Sequence, residues 1–316
     1  MPAGCPSPDA GTMNRLVGRW ATGERGTNAK GQHMTTKSPM QLTDENTSKF
    51  AQVNGIRMHY NEAGTGEGAV VMLHGGGPGA SGWSNFSTNI GPFAEHYRTI
   101  LWDAPNYGKT DALTIKDEVR THHAARHMKG LLDAIGVKKA HFLGNSFGGA
   151  TTIDFALHYP EMVGKIVLVG PAGYGPSTWL PTPLDGIKAL NHWWHEPTRE
   201  NMAKIVELFM YDKKFKTDEL IDARMRWATA NPKQIKARLA STGPQKEYTF
   251  DLHKIANPTL VVWGRDDRFS PLDWGMRLIW HMPNARLHVY PECGHWVQYE
   301  KSDQFNRLVL SFLQEK

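Results

Sequence analysis

The chain has 316 residues, of which 40% are hydrophobic and 21% charged, and its formal net charge is +5. This length suits one α/β domain with an insertion better than two independent domains. The charge invites a nucleic-acid interpretation, but residues 1–38 contain five Lys and Arg residues against two acidic ones, and the remainder mixes both signs. The charge pattern therefore argues against a phosphate-binding stripe, and we expect no nucleic-acid partner.

The cysteine content and the lack of long apolar runs narrow the class of protein further. Cys5 and Cys293 lie far apart and form neither a disulfide framework nor a metal-ligand pattern, which favours a reducing, cytoplasmic compartment. No apolar run approaches the roughly 20 residues that cross a bilayer, so we expect no membrane partner. We also expect no cofactor and no metal.

The predicted elements begin after a polar stretch. Residues 1–45 are rich in Gly, Thr, Asn and Lys without an apolar period, and we predict a disordered N-terminal extension. Residues 50–53 and 56–60 then form a hairpin around Asn54-Gly55. Short apolar runs predict buried strands, and two longer stretches between them predict helices: strands at 69–73, 99–102, 141–143 and 166–169, and helices at 117–136 and 147–159.

The alternation of strands and helices is interrupted once. Residues 174–250 contain helical patterns but no buried strand; one of these patterns has the spacing of an amphipathic helix, through Met202, Ile205, Val206, Phe209 and Met210. Strands resume at 259–263 and 285–290, and a helix closes the chain. We predict an α/β fold with a mostly parallel, doubly wound sheet, whose core (46–173 and 251–316) carries an inserted helical lid (174–250).

A nucleophile motif occupies the turn after the strand at 141–143. Residues 144–149 read Gly-Asn-Ser-Phe-Gly-Gly and lead into a helix, which is the strand–turn–helix context of G-x-S-x-G. The turn strains the serine backbone and raises its hydroxyl above the sheet, and a Cβ at Gly144 or Gly148 would collide with neighbouring elements. We predict that Ser146 is the nucleophile; the plain alternative is a glycine-rich turn with an incidental serine.

The serine needs a base, and the base needs an acid to orient it. In this fold they follow the nucleophile in the order Asp, His, each after a later strand. His295 follows the strand at 285–290, and Asp266 and Asp267 follow the strand at 259–263. We predict a catalytic triad of Ser146, His295 and Asp267. Asp267 is preferred to Asp266 because residues 264–271 have the loop form G-x-x-D-x-x-x-P.

Five other histidines are expected to have structural roles. His122, His123 and His127 are expected on a solvated helix face. His192 and His195 are expected to pack within the lid or to line a pocket.

A glycine-rich loop follows the strand at 69–73. It reads His-Gly-Gly-Gly-Pro-Gly at 74–79, where this fold places its first oxyanion-hole donor. Glycines allow backbone N–H groups to turn toward a developing oxyanion, and the second donor is the residue after the nucleophile, Phe147. A phosphate-binding loop is disfavoured, because neither G-K-[ST] nor G-x-G-x-x-G with a following helix is present.

Four segments together resemble one family, the meta-cleavage product hydrolases, which cleave a carbon–carbon bond after ring fission in bacterial degradation of aromatic compounds. They are the loop 74–85, the elbow 144–149, the segment 263–269 and the ending 293–298. In the lid, residues 217–224 are similar to the family segment that supplies a substrate-binding arginine. The resemblance covers about residues 45–316.

The resemblance implies a reaction and further site residues. The substrate is a 2-hydroxy-6-oxo-hexa-2,4-dienoate whose dienol ketonises before water cleaves the C5–C6 bond, and Ser146 either attacks C6 or activates water. The implied oxyanion donors are the N–H groups of Gly76 and Phe147. The implied substrate-binding residues are Gly77, Asn85, Asn145, Arg224 and Trp296.

Several alternatives remain open at this stage. Arg224 could be a salt-bridging lid residue, with Arg226 and Arg238 close by; Asn85 and Asn145 could cap turns, and Trp296 could pack in the core. Lid residues are expected to form the pocket for the C6 substituent, of alkyl or aryl type: Trp179, Leu180, Trp193, Trp194, Met202, Phe209 and Met210. A carboxylesterase, an aminopeptidase or a non-catalytic receptor of the same fold is the competing function. We expect a homo-oligomer.

Overall fold

The computed structural model describes residues 41–173, 175–181, 183–244 and 251–316. We predicted disorder for residues 1–45, and the first forty of these positions lie outside the described residues. At the end of this range, Thr43 caps a short helix that begins at Asp44, so ordered structure starts slightly earlier than predicted.

One eight-stranded sheet forms the centre of the fold. The strands are β1 Ser48–Val53, β2 Ile56–Ala63, β3 Ala69–Leu73, β4 Arg98–Trp102, β5 Ala140–Asn145, β6 Val163–Val169, β7 Thr259–Gly264 and β8 Ala285–Tyr290. Their order in the sheet is β1-β2-β4-β3-β5-β6-β7-β8. β1 and β2 pair antiparallel, as do β2 and β4, and all other neighbours are parallel. The predicted α/β fold with a mostly parallel sheet is confirmed.

Twelve α-helices belong to the described residues. They are α1 Asp44–Thr47, α2 Gly82–Phe86, α3 Ile90–Ala94, α4 Arg120–Ala134, α5 Phe147–His158, α6 Asp185–His195, α7 Arg199–Phe209, α8 Asp218–Thr229, α9 Pro232–Ala240, α10 Asp273–His281, α11 Val297–Glu300 and α12 Ser302–Gln314. Within the described part of the chain, no helix is long and apolar enough to span a membrane.

The sheet is buried on both faces, which explains why its strands read as continuous apolar runs. In β3 every residue is buried; Val71 and Leu73 belong to one hydrophobic cluster, whereas Val70 and Met72 belong to another. Successive side chains of a strand point to opposite faces, so the two clusters cover the two sides of the sheet. The first hairpin has the predicted Asn54-Gly55 turn, with φ of 49° and 84°.

The segment between β6 and β7 carries α6–α9, which we call the helical insertion. A third hydrophobic cluster contains the buried side chains of the helical insertion together with Phe269 and Trp296 of the core. The predicted amphipathic pattern lies on α7, where Met202, Ile205 and Phe209 are all buried. Within the described residues of the insertion there is no strand.

The prediction for the histidines of α4 is wrong in part. His123 and His127 are buried, and only His122 is partly exposed. The two buried rings are tilted against each other with centroids 4.3 Å apart, and Nδ1 of His127 donates to the carbonyl of His123. This face of α4 packs against the core, so its histidines are desolvated and the pKa of His127 falls to about 4.

The prediction for the two histidines of α6 is also wrong. His192 and His195 are exposed, and His192 lies 3.0 Å from the carboxylate of Glu196. They lie on the outer face of α6, whereas Trp193 between them is buried.

Candidate active site

The turn between β5 and α5 has the strained geometry expected of a nucleophile elbow. Ser146 has φ 52° and ψ −114°, a conformation that L-residues rarely adopt. Its N–H donates to Val169 and its carbonyl accepts from Ala150 and Ala172, so the turn is held by backbone bonds on both sides. These contacts fix the strained serine at the carboxyl edge of the sheet.

The flanking glycines are required by close packing. A Cβ at Gly144 would lie 2.4 Å from the carbonyl oxygen of Gly148, and one at Gly148 would lie 2.1 Å from that of Leu73. Both distances are well inside van der Waals contact, and both neighbours are backbone, which has little room to move. The sequence pattern of the elbow is therefore set by sterics as well as by chemistry.

Asp267, and not Asp266, lies against the histidine. Oδ2 of Asp267 is 2.7 Å from Nδ1 of His295, and both residues are buried. Oδ1 of Asp267 accepts from two backbone N–H groups, so the carboxylate is fixed. Because a carboxylate only accepts, Nδ1 of His295 carries the proton and Nε2 is left as the basic nitrogen. Asp266 instead pairs with Arg265 at the surface.

The glycine-rich loop lies against the residue after the nucleophile. A Cβ at Gly76 would be 3.1 Å from that of Phe147, which places the two backbones side by side. The carbonyl of Gly76 accepts from the hydroxyl of Tyr107. Among the described residues, neither the Gly76 N–H nor the Phe147 N–H has a protein acceptor. Two unoccupied donors beside a strained serine suit an oxyanion.

His74 anchors the start of this loop and takes no part in proton transfer at the cavity. Its Nδ1 lies 2.7 Å from the Gly75 carbonyl, and its Nε2 accepts from the N–H of Ala104. Burial lowers the pKa of His74, so the ring is neutral with its proton on Nδ1.

A cavity of about 250 Å³ lies between the sheet edge and the helical insertion. Of the predicted site residues, only Asp267 is absent from its wall, because it lies behind His295. The others line it together: Ser146, His295, Gly76, Gly77, Phe147, Asn85, Asn145, Arg224 and Trp296.

Arg224 is the unusual charge of this cavity. It is 1% exposed, and its guanidinium carbon lies 4.7 Å from the ring centroid of Trp296 and 5.2 Å from that of Phe209. Nη2 donates to the carbonyl of Pro78, but Nε and Nη1 have no hydrogen-bond partner among the described residues. Burial alone lowers the pKa of Arg224 to about 9. A buried cation with free donors is a site for an anion.

The two predicted asparagines are linked to each other. Nδ2 of Asn85 lies 3.3 Å from Oδ1 of Asn145, and Nδ2 of Asn145 donates to the carbonyl of Val169. Asn145 is thus engaged in holding β5 and β6 at the elbow. Oδ1 of Asn85 accepts from the hydroxyl of Ser84, so among the described residues Asn85 keeps one amide hydrogen without a protein acceptor.

Known proteins resemble this chain over most of its length. The α/β-hydrolase fold family matches residues 68–302. The chain is 48% identical over 286 residues to a 2-hydroxy-6-oxo-6-phenylhexa-2,4-dienoate hydrolase of Comamonas testosteroni, covering 87% of this chain and 99% of that protein. It is 46% identical to a 2-hydroxy-6-oxononadienedioate/2-hydroxy-6-oxononatrienedioate hydrolase of the same species, over 86% and 98% of the two chains.

A solved structure points the same way. The meta-cleavage product hydrolase of Pseudomonas fluorescens IP01 superposes with a TM-score of 0.73 at 32% identity, over 84% of this chain and 97% of that one. This chain belongs to the meta-cleavage product hydrolases. It is an α/β-hydrolase of the serine type that cleaves carbon–carbon bonds of ring-fission products, and the resemblance inferred from its motifs is confirmed.

In this meta-cleavage product hydrolase, only some of the lid residues predicted to form the pocket for the C6 substituent line the cavity. Trp194 and Phe209 do so. Trp193, Met202 and Met210 are buried inside the insertion, and Trp179 and Leu180 are 67% and 47% exposed. The sequence identified apolar residues but not their facing, because a helix in the insertion has one side toward the cavity and another toward its neighbours.

Several residues that build the site carry no motif of their own. Glu300 is buried and accepts from the N–H groups of Gly294, Tyr211 and Asp212. It thereby connects the loop that carries His295 to the helical insertion. Gly170 has φ 46° and packs against the His295–Asp267 pair. The only sequence signal for either residue is its position next to a strand end or a motif.

Proposed function

We propose that the enzyme cleaves the C5–C6 bond of 2-hydroxy-6-oxo-hexa-2,4-dienoates. The observation that carries this proposal is Arg224, a buried guanidinium with two free donor nitrogens in the same cavity as Ser146 and His295. An esterase needs no such cation, whereas a dienoate brings a carboxylate that satisfies it.

Ketonisation of the dienol is the first step. The C1 carboxylate and the adjacent 2-oxygen bind Arg224, with Asn85 beside them. Loss of the 2-hydroxyl proton and protonation at C5 give a 2,6-dioxo-hex-3-enoate, and the guanidinium stabilises the negative charge on the C2 oxygen during this step. C5 thereby becomes a carbon that can leave with its electron pair.

Cleavage of the C–C bond follows at the serine. Nε2 of His295 takes the proton from Ser146, and the serine oxygen, or a water that it activates, attacks C6. The N–H groups of Gly76 and Phe147 hold the resulting oxyanion. The C5–C6 electron pair is delocalised through C4=C3 onto the C2 oxygen, and the resulting dienolate takes up the proton held by Nε2 of His295, which gives 2-hydroxypenta-2,4-dienoate. Water supplies the hydroxyl group of the second product, a carboxylic acid.

Substitution of the nucleophile tests these roles. Ser146→Ala should bind the dienoate, with a shift of its absorbance, but should not release the two products; Ser302→Ala, at the start of α12 and away from the cavity, should turn over like the wild type. Turnover by Ser146→Ala at the wild-type rate would remove Ser146 from the reaction.

We also propose that the enzyme forms a homo-oligomer in the cytoplasm. Trp280, Trp179 and Met276 are 85%, 67% and 48% exposed and lie together on one surface, which favours contact with a second copy. The buried free thiol of Cys293 fits a reducing compartment. Light scattering of the purified enzyme and cell fractionation test the two statements.

A further inference from the structure

Two more arginines belong to the wall of the catalytic cavity. Arg120, at the start of α4, and Arg238, near the end of α9, both line it. The guanidinium of Arg120 lies 4.3 Å from the ring centroid of Phe147, and its Nη2 donates to the hydroxyl of Tyr107. The guanidinium of Arg238 lies 5.7 Å from the ring centroid of Trp194.

Neither arginine has an acidic partner among the described residues. No ion pair there joins Arg120 or Arg238 to a carboxylate, and Nε of Arg238 is a buried donor without an acceptor. Burial lowers the pKa of Arg120, and the positive charge of Arg238 lowers it further. Two cations that repel each other in a partly dehydrated cavity stabilise an anion placed between them.

Arg120 and Arg238 pack on different aromatic rings of the cavity from Arg224. Arg224 packs on Trp296 and Phe209, whereas Arg120 packs on Phe147, the residue that follows the nucleophile. The reacting C5–C6 bond must lie at Ser146. With the dienoate carboxylate at Arg224, we infer that the group attached to C6 extends away from Arg224, into the part of the cavity lined by Arg120 and Arg238.

We propose that Arg120 and Arg238 form a second anion subsite, which binds a carboxylate at the end of the C6 substituent. The preferred substrate is then a dioate with a carboxyalkyl group at C6, and not the analogue with a phenyl group. This inference rests on the proposed function. A phenyl ring could stack on a guanidinium, but it has no lone pair for Nε of Arg238, whereas a carboxylate accepts from that donor and neutralises the repulsion.

The test compares three substrates that share the dienoate and differ at C6: a 2-carboxyethyl group, its methyl ester and a phenyl group. Wild-type kcat/KM should be at least about tenfold higher for the free carboxylate than for its methyl ester, since a hydrogen-bonded charge pair is worth about ten- to a hundredfold. Arg238→Gln should lower kcat/KM about tenfold or more for the carboxylate, mainly through KM, and less than about threefold for the other two substrates.

Two controls separate this inference from the proposed function. Arg224→Gln should lower kcat/KM for all three substrates alike, and Arg226→Gln, which removes an exposed charge from α8, should change none. A wild-type enzyme that prefers the methyl ester or the phenyl substrate overturns the second subsite and leaves the proposed function intact, as does a folded Arg238→Gln with the same loss on all three. A wild-type enzyme that cleaves none of the three overturns the proposed function itself.

Discussion

Replacement of Arg224 by methionine should stabilise the protein and remove most of its activity. Lowering the pKa of a guanidinium from 12.5 to about 9 corresponds to about 5 kcal/mol of unfavourable burial. The hydrogen bond to Pro78 and the stacking on Trp296 and Phe209 offset about 3–4 kcal/mol of this. Because methionine fills similar apolar space without a charge, Arg224→Met should gain about 1–2 kcal/mol in the free energy of unfolding.

The loss of activity follows from the same two nitrogens. Nε and Nη1 of Arg224 are free for the substrate carboxylate, and two charge-assisted hydrogen bonds are worth about 3–6 kcal/mol, or a roughly 10²- to 10⁴-fold loss of kcat/KM. Urea unfolding followed by tryptophan fluorescence and decay of the dienoate absorbance measure the two effects. Arg226→Met is the matched control. A less stable Arg224→Met variant would show that the buried charge is not destabilising, and one that keeps its kcat/KM would show that Arg224 does not bind the substrate.

Two further predictions concern proton-bearing groups. Asp267→Asn should lower kcat by about 10⁴-fold, because an amide no longer fixes the tautomer of its histidine partner, whereas Asp266→Asn should stay within about twofold; equal effects would contradict the assignment. Burial lowers the pKa of His127 from 6.5 to about 4, so protons favour the unfolded chain and stability falls as the pH falls below 6.5. Between pH 8 and pH 5 the free energy of unfolding of the wild type, measured with urea, should fall by about 2 kcal/mol more than that of His127→Leu. If the free energies of unfolding of the two proteins depend on pH in the same way, the prediction is wrong.

The sequence predicts the fold well, and the structure brings the residues of the predicted triad together, because both depend on local patterns. Buried parallel strands read as continuous apolar runs, and the elbow needs glycines at fixed positions around Ser146, where a Cβ would collide with backbone. The loop form at 264–271 predicts that Asp267, and not Asp266, faces the histidine, and the distance of 2.7 Å to His295 agrees.

The sequence predicts poorly which side of a helix faces the core, the cavity or the solvent. His127 and Trp179 illustrate both errors: the first was expected at the surface and is buried, and the second was expected in the cavity and is exposed. A residue at the edge of the apolar face of a helix can be buried or exposed, and the neighbouring elements that pack against the helix determine which. Arg238 could be seen in the sequence only as a neighbour of Arg224, because its position in the cavity depends on how α9 packs.

We propose that this cavity is built for a carbon–carbon bond next to a ketonised dienoate, and not for an ester. The most direct measurement offers one preparation of the enzyme a 2-hydroxy-6-oxo-hexa-2,4-dienoate and a simple ester with the same acyl group. The dienoate should be consumed much faster, with 2-hydroxypenta-2,4-dienoate and the carboxylic acid formed in equal amounts. Hydrolysis of the ester with the dienoate left intact would contradict this proposal.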